Sequence, residues 1–379
     1  MRRTIFDDVH EDFRESVRGF LVREALPHTE EWEEAGLVPR SFWRRAAEQG
    51  LVGFAVPEEL GGAGLDDFRF NVVLDEEVAL TGVVGDNFNL TNDIVAPYLL
   101  DLTNDSQRRR WLPGLASGEQ VWAIAMSEPG AGSDLRGIKT SAVWRGDHYA
   151  VTGSKTFITN GIQADKVIVA AQASGGEVEG MALLVLDADA EGYQRGRKLR
   201  KVGRRAQDTA ELFFNEVPVP PEDVIGEVGK GLHYLMRNLA QERLSMAVIA
   251  VAAAERAFDL TLDYVRNRYA FGSPIGSFQA NRFTLADIRT ELDVARAYID
   301  RCIEAHVQGE LTPAEAASAK LWTTELQFSV MDRCVQLHGG YGYMEEYEIS
   351  SMWRDARVTR IYGGTSEIMK EIVGRSLGL

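Results

Sequence analysis

The spacing of hydrophobic residues divides the chain into three blocks. In the first block apolar side chains recur three and four positions apart, beginning with Phe6 and Val9, and this period predicts amphipathic helices. The second block changes to short β-branched or apolar runs bounded by Gly and Asp, which predict strands. The helical period then returns. The pattern therefore predicts a mainly α protein with an N-terminal helical domain (1–118), a central β domain (119–226) and a C-terminal helix bundle (227–379).

Local signals predict where several of these elements begin and end. The runs at 166–170 and 181–186 predict strands, and Gly146 predicts a hairpin turn at 145–147. The proline-rich segment 217–221 predicts the end of a strand. Near the C-terminus, Thr312, Pro313 and Glu315 form a capping-box pattern, and the helix that they start is expected to run to Gly339 and Gly340.

Composition narrows the possible partners and the compartment. The 379 residues carry a formal net charge of −16, which argues against binding to nucleic acid or to an anionic membrane. Cys302 and Cys334 lie in apolar helix-like stretches, so we interpret them as reduced core residues of a cytoplasmic protein. No signal peptide and no membrane-spanning stretch is evident, and membrane insertion is not expected.

Common cofactor motifs do not account for the glycine-rich and histidine positions. The segment 130–135 begins like a dinucleotide fingerprint but has Leu135 at the third glycine position, and strand signals follow it. The segment 226–231 lacks the spacing of a phosphate-binding loop. The six histidines show no zinc-like spacing, so no metal site is predicted.

Four segments together resemble the acyl-CoA dehydrogenase family. They are MSEPGAGSD at 126–134, GSKTFITNG at 153–161, RYAFG at 268–272 followed by Gln279, and QLHGGYG at 336–342 followed by IYGGTSE at 361–367. The resemblance implies a helical domain, a central β-barrel and a helix bundle, usually assembled as a homotetramer. It also implies a flavoprotein oxidoreductase of fatty acid β-oxidation, which passes electrons from reduced FAD to an electron-transferring flavoprotein.

The resemblance assigns roles to individual residues. Met126, Ser127, Phe157 and Thr159 match positions that line the flavin, and Ser133 matches a position near both flavin and the CoA thioester. The positions that match the pyrophosphate and adenine side of FAD, partly across a subunit interface, are Arg268, Phe271, Gln279, Gln336, Gly339 and Gly340. Thr365 and Glu367 match the end of the last motif that contacts the cofactor, and Tyr362 and Gly363 match the substrate side. Taken singly, each residue also has a simpler interpretation as a turn, a helix end or a solvated side chain.

The base required by the reaction is not where the commonest family pattern has it. Many members carry a catalytic Glu just before Gly-Thr in the last motif, and this chain has Gly363 there. In members resembling the long-chain and isovaleryl types, the base comes from an early helix of the C-terminal block, where this chain has Glu242 and Arg243. The resemblance therefore implies Glu242 as base, with Arg243 orienting and compensating charge in the substrate pocket.

Periodicity supports Glu242 independently. Glu242 shares one helical stripe with Leu235, Leu239, Met246 and Ile249. A carboxylate on an apolar stripe is costly unless it is paired or has a use, and its burial raises its pKa toward the range of a general base. An ion pair with Arg243 is the simpler interpretation of the same pattern.

Three alternatives remain open from the sequence. An acyl-CoA oxidase would share the flavin chemistry but use oxygen as the electron acceptor. A related flavin enzyme of the same fold would eliminate or hydroxylate. A non-catalytic relative would bind acyl-CoA without reducing the flavin.

Overall fold

The computed structural model describes residues 3–83 and 87–379. Residues 1, 2 and 84–86, which belong to the predicted first block, lie outside the described residues. The helices of this block are α1 Asp8–Glu24, α2 Thr29–Ala35, α3 Arg40–Glu48, α4 Phe68–Thr81, the single turn α5 Asn87–Asn89, α6 Ala96–Leu102 and α7 Asp105–Ala116. A π-helical turn, Leu90–Val95, joins α5 to α6.

The middle block forms a β-sheet domain. Its strands are β1 Trp122–Ala125, β2 Ser141–Trp144, β3 Tyr149–Thr159, β4 Lys166–Ser174, β5 Gly180–Asp187, β6 Tyr193–Lys198, β7 Thr209–Val219 and β8 Val224–Ile225. Their hydrogen-bonded order is β6-β7-β3-β2-β4-β5-β8, with β1 added parallel to β4. The β2–β4 pair is also parallel, and the other neighbours in the sheet are antiparallel.

Strands β4 and β5 are buried on both faces, which explains their continuous apolar runs. Alternate residues point to opposite sides of a strand. Val167 and Val169 therefore pack into the interior of the β domain, whereas Ile168 joins a second cluster that contains helical residues. Tyr98 of α6 and Leu235 of the C-terminal block belong to that second cluster. The sheet is thus the platform against which α6 meets the C-terminal domain.

The last block is dominated by three long helices. Its elements are α8 Gly231–Asn267, the short strands β9 Tyr269–Ala270 and β10 Ser273–Pro274, and the helices α9 Gln279–Val307, α10 Pro313–His338, α11 Glu348–Ala356 and α12 Ser366–Ser376. From Glu242 to Ala252, α8 is buried on every side. A helix that is buried all round belongs to the centre of a domain rather than to its surface, and α8 packs against α4, α9 and α10.

The structure agrees with these local predictions. The capping box at Thr312 is present, α10 ends at Gly339 with φ +61°, and β2 and β3 form the predicted hairpin. β7 ends at Val219, inside the proline-rich segment where the sequence predicts the end of a strand. Pro218 is the last residue but one of β7 and pairs with Ala150 of β3, beyond the part of β7 that pairs with β6. Proline is tolerated at such an edge position of a sheet.

Both cysteines are free thiols in the core, as expected. Connections at 117–121 and 226–230 separate the three blocks. In the ranges 3–83 and 87–379, no helix has the length and hydropathy needed to cross a membrane.

Candidate active site

Glu242 is a buried carboxylate in the centre of α8. Only 2% of its surface is exposed, and Leu235, Leu239 and Met246 of the same stripe are also buried. Burial raises the pKa of Glu242 to about 7, although a hydrogen bond from Tyr98 and the charge of Arg243 both act to lower it. Close to neutral pH, this side chain can therefore exist as the free carboxylate that a general base requires.

Arg243 does not form an ion pair with Glu242. Consecutive side chains on a helix point about 100° apart, and among the described residues no cation lies within ion-pair distance of the Glu242 carboxylate. Arg243 is itself buried, with 4% exposed, and its Nε has no hydrogen-bond partner. Desolvation lowers the pKa of its guanidinium. A buried donor without a partner is unusual enough to indicate a site for an acceptor from a ligand.

The glycine pair at 363 and 364 lies against the same part of α8. Both residues have left-handed φ values, +64° and +100°. A Cβ on Gly363 would lie 2.3 Å from Sδ of Met246, which is one turn after Glu242. The position that carries the base in the commonest family pattern is therefore closed to a side chain here, and its backbone faces the helix that carries Glu242.

Lys320 of α10 supports this glycine turn. Its Nζ donates a 2.5 Å hydrogen bond to the carbonyl oxygen of Gly364. Burial, together with the charge of Arg243, lowers the pKa of Lys320 to about 8. No sequence pattern predicts this role, because Lys320 lies on an ordinary helical stretch and its partner is 44 residues away.

Hydrogen bonds connect the two segments of the β domain that carry the predicted flavin positions. Nζ of Lys155 donates to the Met126 carbonyl at 3.0 Å and to Glu128 Oε1 at 2.8 Å, which ties the 126–134 loop to β3. The Thr156 N–H donates to the Ser127 carbonyl at 2.9 Å. Phe157 has φ +61° and is 71% exposed. A non-glycine residue in the left-handed region that exposes an aromatic ring is typical of a functional surface.

Four of the predicted FAD-binding positions line a cleft in the C-terminal domain. Arg268, Gln336, Gly339 and Gly340 surround a space of about 540 Å³ at the end of α10. A Cβ on either glycine would meet nothing within 4 Å, so the backbone borders open space. In the described part of the chain no carboxylate pairs with the Arg268 guanidinium, which lies 5.4 Å from the ring centre of Tyr341.

The structure leaves the other predicted positions outside these groups. Phe271 is 97% exposed with φ +51°, and Gln279 is exposed at the start of α9. Ser133 is exposed in the loop after β1. Thr365 caps α12, with Glu367 exposed in its first turn, and the guanidinium of Arg204 lies over the ring of Tyr362 at 5.6 Å.

These features fit the chemistry of FAD. The exposed Phe157 ring offers an apolar face for a flat ring system, and the neighbouring Ser127 and Thr159 carry hydroxyls for its polar edge. The Arg268 guanidinium beside two unobstructed glycines fits a pyrophosphate. The donor set is thus compatible with the group that the resemblance implies.

Comparison with known proteins supports the same interpretation. Models of the N-terminal, middle and C-terminal domains of acyl-CoA dehydrogenases match residues 7–119, 123–217 and 229–378. The chain is 45% identical to the mitochondrial long-chain specific acyl-CoA dehydrogenase of Sus scrofa, over 99% of this chain and 88% of the relative.

Solved structures agree. An acyl-CoA dehydrogenase from Geobacillus kaustophilus superimposes with a TM-score of 0.95 at 47% identity, covering 99% of each chain. An acyl-CoA dehydrogenase from Bacillus anthracis, solved in complex with FAD, has a TM-score of 0.90 at 30% identity and covers 100% of this chain and 69% of its own.

Proposed function

The chain belongs to the acyl-CoA dehydrogenase family, and we propose that Glu242 is the base with which it removes the α-proton of its substrate. The reaction is the α,β-dehydrogenation of an acyl-CoA by a flavoenzyme. The observation that carries the proposal is the position of Glu242. Its carboxylate is buried and has no cationic partner among the described residues. Glu242 also lies one helical turn from Met246, the residue that packs on Gly363.

Each residue of the pocket has a defined task. The Glu242 carboxylate accepts the proton as the Cα–H bond breaks, and the electron pair forms the new double bond of the trans-2-enoyl-CoA. The Gly363 N–H donates a hydrogen bond to the thioester carbonyl and stabilises the developing enolate. Arg243 orients the substrate and compensates charge, and Tyr362 and Ser133 complete the substrate side. FAD bound beside these residues would supply flavin N5 as the acceptor for the hydride that leaves the β-carbon.

The positions that the family motifs identify would hold the cofactor. Met126 and Phe157 would pack against the ring system, while the hydroxyls of Ser127 and Thr159 would bind its polar edge. The residues that would bind the pyrophosphate and adenine side are Arg268, Gln336, Gly339 and Gly340 together with Phe271, Gln279, Thr365 and Glu367. The near-complete exposure of Phe271 supports a contribution across a subunit interface, because a single chain leaves its ring in solvent.

The substrates are long or branched acyl-CoAs. Gly363 leaves no side chain on the substrate side of its turn, and the displaced base changes the shape of the pocket. The similarity to a long-chain specific dehydrogenase favours the same class.

The physiological partners follow from family membership. The enzyme acts as a homotetramer in the cytoplasm and passes its electrons to an electron-transferring flavoprotein. Exposed aromatic side chains on the C-terminal domain, among them Phe271, Phe283 and Tyr343, support self-association. Light scattering of the FAD-loaded protein should give about four times the mass of one chain, and a monomer would contradict this part.

The decisive experiment is an anaerobic titration of the FAD-loaded protein with acyl-CoAs of increasing length and branching, beside Glu242→Gln. The glutamine keeps the size of the side chain and removes its ability to accept a proton. We expect the visible flavin absorbance to disappear in the wild type and to persist in the variant, which should still bind FAD and substrate. Equal bleaching of both proteins would remove Glu242 from the mechanism.

The same titration separates the alternatives. Bound FAD that no thioester bleaches would favour the non-catalytic relative, or the eliminating or hydroxylating enzymes. Stoichiometric oxygen consumption during aerobic turnover, without an added electron acceptor, would indicate an oxidase.

A further inference from the structure

Tyr98 is a fully buried residue that contacts the proposed base. It lies on α6, and its Oη donates a 3.2 Å hydrogen bond to Oε1 of Glu242. Among the described residues, Tyr98 is the one whose side chain donates a hydrogen bond to the Glu242 side chain. The two residues are 144 positions apart, so the contact depends on the way α6 is held against α8.

The π-helical turn Leu90–Val95 holds α6 in that position. The side chain of Gln241 donates to the backbone carbonyl of Asp93 at 3.0 Å, and Ser245 hydrogen-bonds the carboxylate of the same residue. Gln241 and Ser245 flank Glu242 on α8, so the turn is attached on both sides of the base. A π-helical turn alters the rotation of the helix that follows it and is frequent at functional sites.

The titratable and charged groups around Glu242 come from five elements: α8, α6, α10, α4 and the π-helical turn. Arg243 lies next to it on α8, and Tyr98 faces it from α6. Lys320 of α10 acts on Arg243, and Arg237 acts on Tyr98 from the preceding turns of α8.

The buried carboxyls of Asp93 and Asp75 face Ser245, one turn beyond Glu242. Of all these groups, the phenol of Tyr98 is the one that donates directly to the Glu242 carboxylate.

We propose that Tyr98 is a positioning residue for the reaction: its hydroxyl holds the Glu242 carboxylate at the pocket and favours the ionised form that accepts the α-proton. A phenol stabilises a carboxylate by donating a hydrogen bond, and it does not compete for the substrate proton because it remains protonated. Burial raises the pKa of Tyr98 well above its usual range, as does the adjacent Glu242 charge. This inference rests on the proposed role of Glu242 as base.

The test is the pH dependence of substrate-driven flavin reduction in the Tyr98→Phe holoenzyme. Phenylalanine keeps the buried ring and removes only the donor. A hydrogen bond to a charged group contributes about 1.5–3 kcal/mol. We therefore expect the ascending limb of the plot of flavin-reduction rate against pH to move by roughly one pH unit or more to higher pH. The rate should be at least about 10-fold lower below the limb, and it should recover at high pH.

A matched control is Tyr193→Phe. Tyr193 is also buried, and its hydroxyl has no hydrogen-bond partner, so its removal should leave the limb in place. A second readout is the infrared carbonyl band of protonated Glu242, identified by its loss in Glu242→Gln. Its midpoint should shift upward in Tyr98→Phe in the substrate-free holoenzyme.

The outcomes distinguish this inference from the proposal on which it rests. If Glu242→Gln still reduces the flavin at the wild-type rate, the proposed base is wrong. If Glu242→Gln is inactive but Tyr98→Phe keeps the wild-type limb and band midpoint, or loses rate equally at all pH values, Tyr98 has no positioning role. If Tyr98→Phe shifts both the ascending limb and the band midpoint, and has no further effect on flavin reduction in the Glu242→Gln background, the inference stands.

Discussion

Two buried glutamates on core helices of this protein have opposite electrostatic environments. Glu76 of α4 is 1% exposed and accepts hydrogen bonds from the guanidinium groups of Arg3, Arg14 and Arg296. Burial acts to raise the pKa of Glu76, but the three arginines outweigh it and the pKa is lowered. Glu242 of α8 is buried to a similar extent, receives one hydrogen bond from a phenol, and has its pKa raised to about 7.

The comparison shows that burial alone does not make a carboxylate reactive. The guanidinium groups hold Glu76 ionised at neutral pH, and Glu76 links α1, α4 and α9 through those arginines. Glu242 retains the capacity to take up a proton near neutral pH because no cation neutralises it directly. A structural carboxylate and a catalytic one are therefore separated by their partners, and substitutions at the two positions should affect different properties.

The largest effect is expected for Glu242→Gln on the rate of flavin reduction. General base catalysis contributes up to about 10⁴-fold. We expect the first-order rate with the best acyl-CoA to fall by about 10³- to 10⁴-fold in anaerobic stopped flow, with the circular dichroism spectrum unchanged. A reduction smaller than about 100-fold, the lower end of the range for general base catalysis, would contradict a catalytic role.

Glu76→Gln should instead affect stability. Removing one charge from a buried ion-pair network leaves its partners uncompensated, with a loss of about 3–5 kcal/mol in the free energy of unfolding. Urea unfolding at neutral pH measures it. Glu371→Gln is the control, because its pair with Arg375 is largely exposed and should contribute less than about 1 kcal/mol. An equally small loss at both positions would show that the network around Glu76 does not stabilise the fold.

The pH dependence of stability should have opposite signs at the two sites. Between the ordinary pKa of 4.5 and the folded value of about 7, folded Glu242 binds more protons than the unfolded chain, so stability falls as pH rises. Glu242→Gln lacks this effect. As the pH rises across that interval, the free energy of unfolding of the variant should increase relative to the wild type by on the order of 3 kcal/mol.

For Glu76 the folded pKa is below 4.5, so its contribution is present above that pH and is lost as the pH falls through the folded pKa. The deficit of Glu76→Gln should therefore shrink in acid. Urea unfolding at a series of pH values and a fixed FAD concentration measures both. A gain by Glu242→Gln that does not depend on pH would show that Glu242 is not protonated in this range.

Local features of the fold were predictable because their causes lie within a few residues. The capping box at Thr312, the end of α10 at Gly339 and the hairpin at Gly146 depend on neighbouring side chains and backbone freedom. The burial of Glu242 was predictable from periodicity for the same reason. The end of β7 at Val219 was predictable from the prolines that follow it, whereas the pairing of Pro218 with β3 depends on the order of the strands in the sheet.

The residues around the candidate base could not be predicted from the amino-acid sequence alone. Tyr98 reaches Glu242 through the packing of α6 on α8, and the rotation of α6 follows from a π-helical turn that has no sequence signature. Lys320 likewise contacts Gly364 only after α10 packs beside α8. Family motifs indicate which residue is the candidate base, whereas the groups that adjust its proton affinity appear only in three dimensions.

The smallest effect is expected at Gly363, which sets the space around the Glu242 site. Gly363→Ala must keep φ near +64°, and an L-residue there is destabilised by roughly 1–2 kcal/mol. Its Cβ must also displace the Met246 side chain, one turn from Glu242. Gly309→Ala is the control, because Gly309 has φ +71° with nothing within 4 Å of an added Cβ. Both variants should lose similar backbone stability in urea unfolding, but only Gly363→Ala should slow flavin reduction. Equal activity of the two variants would show that the Met246 contact does not affect the base.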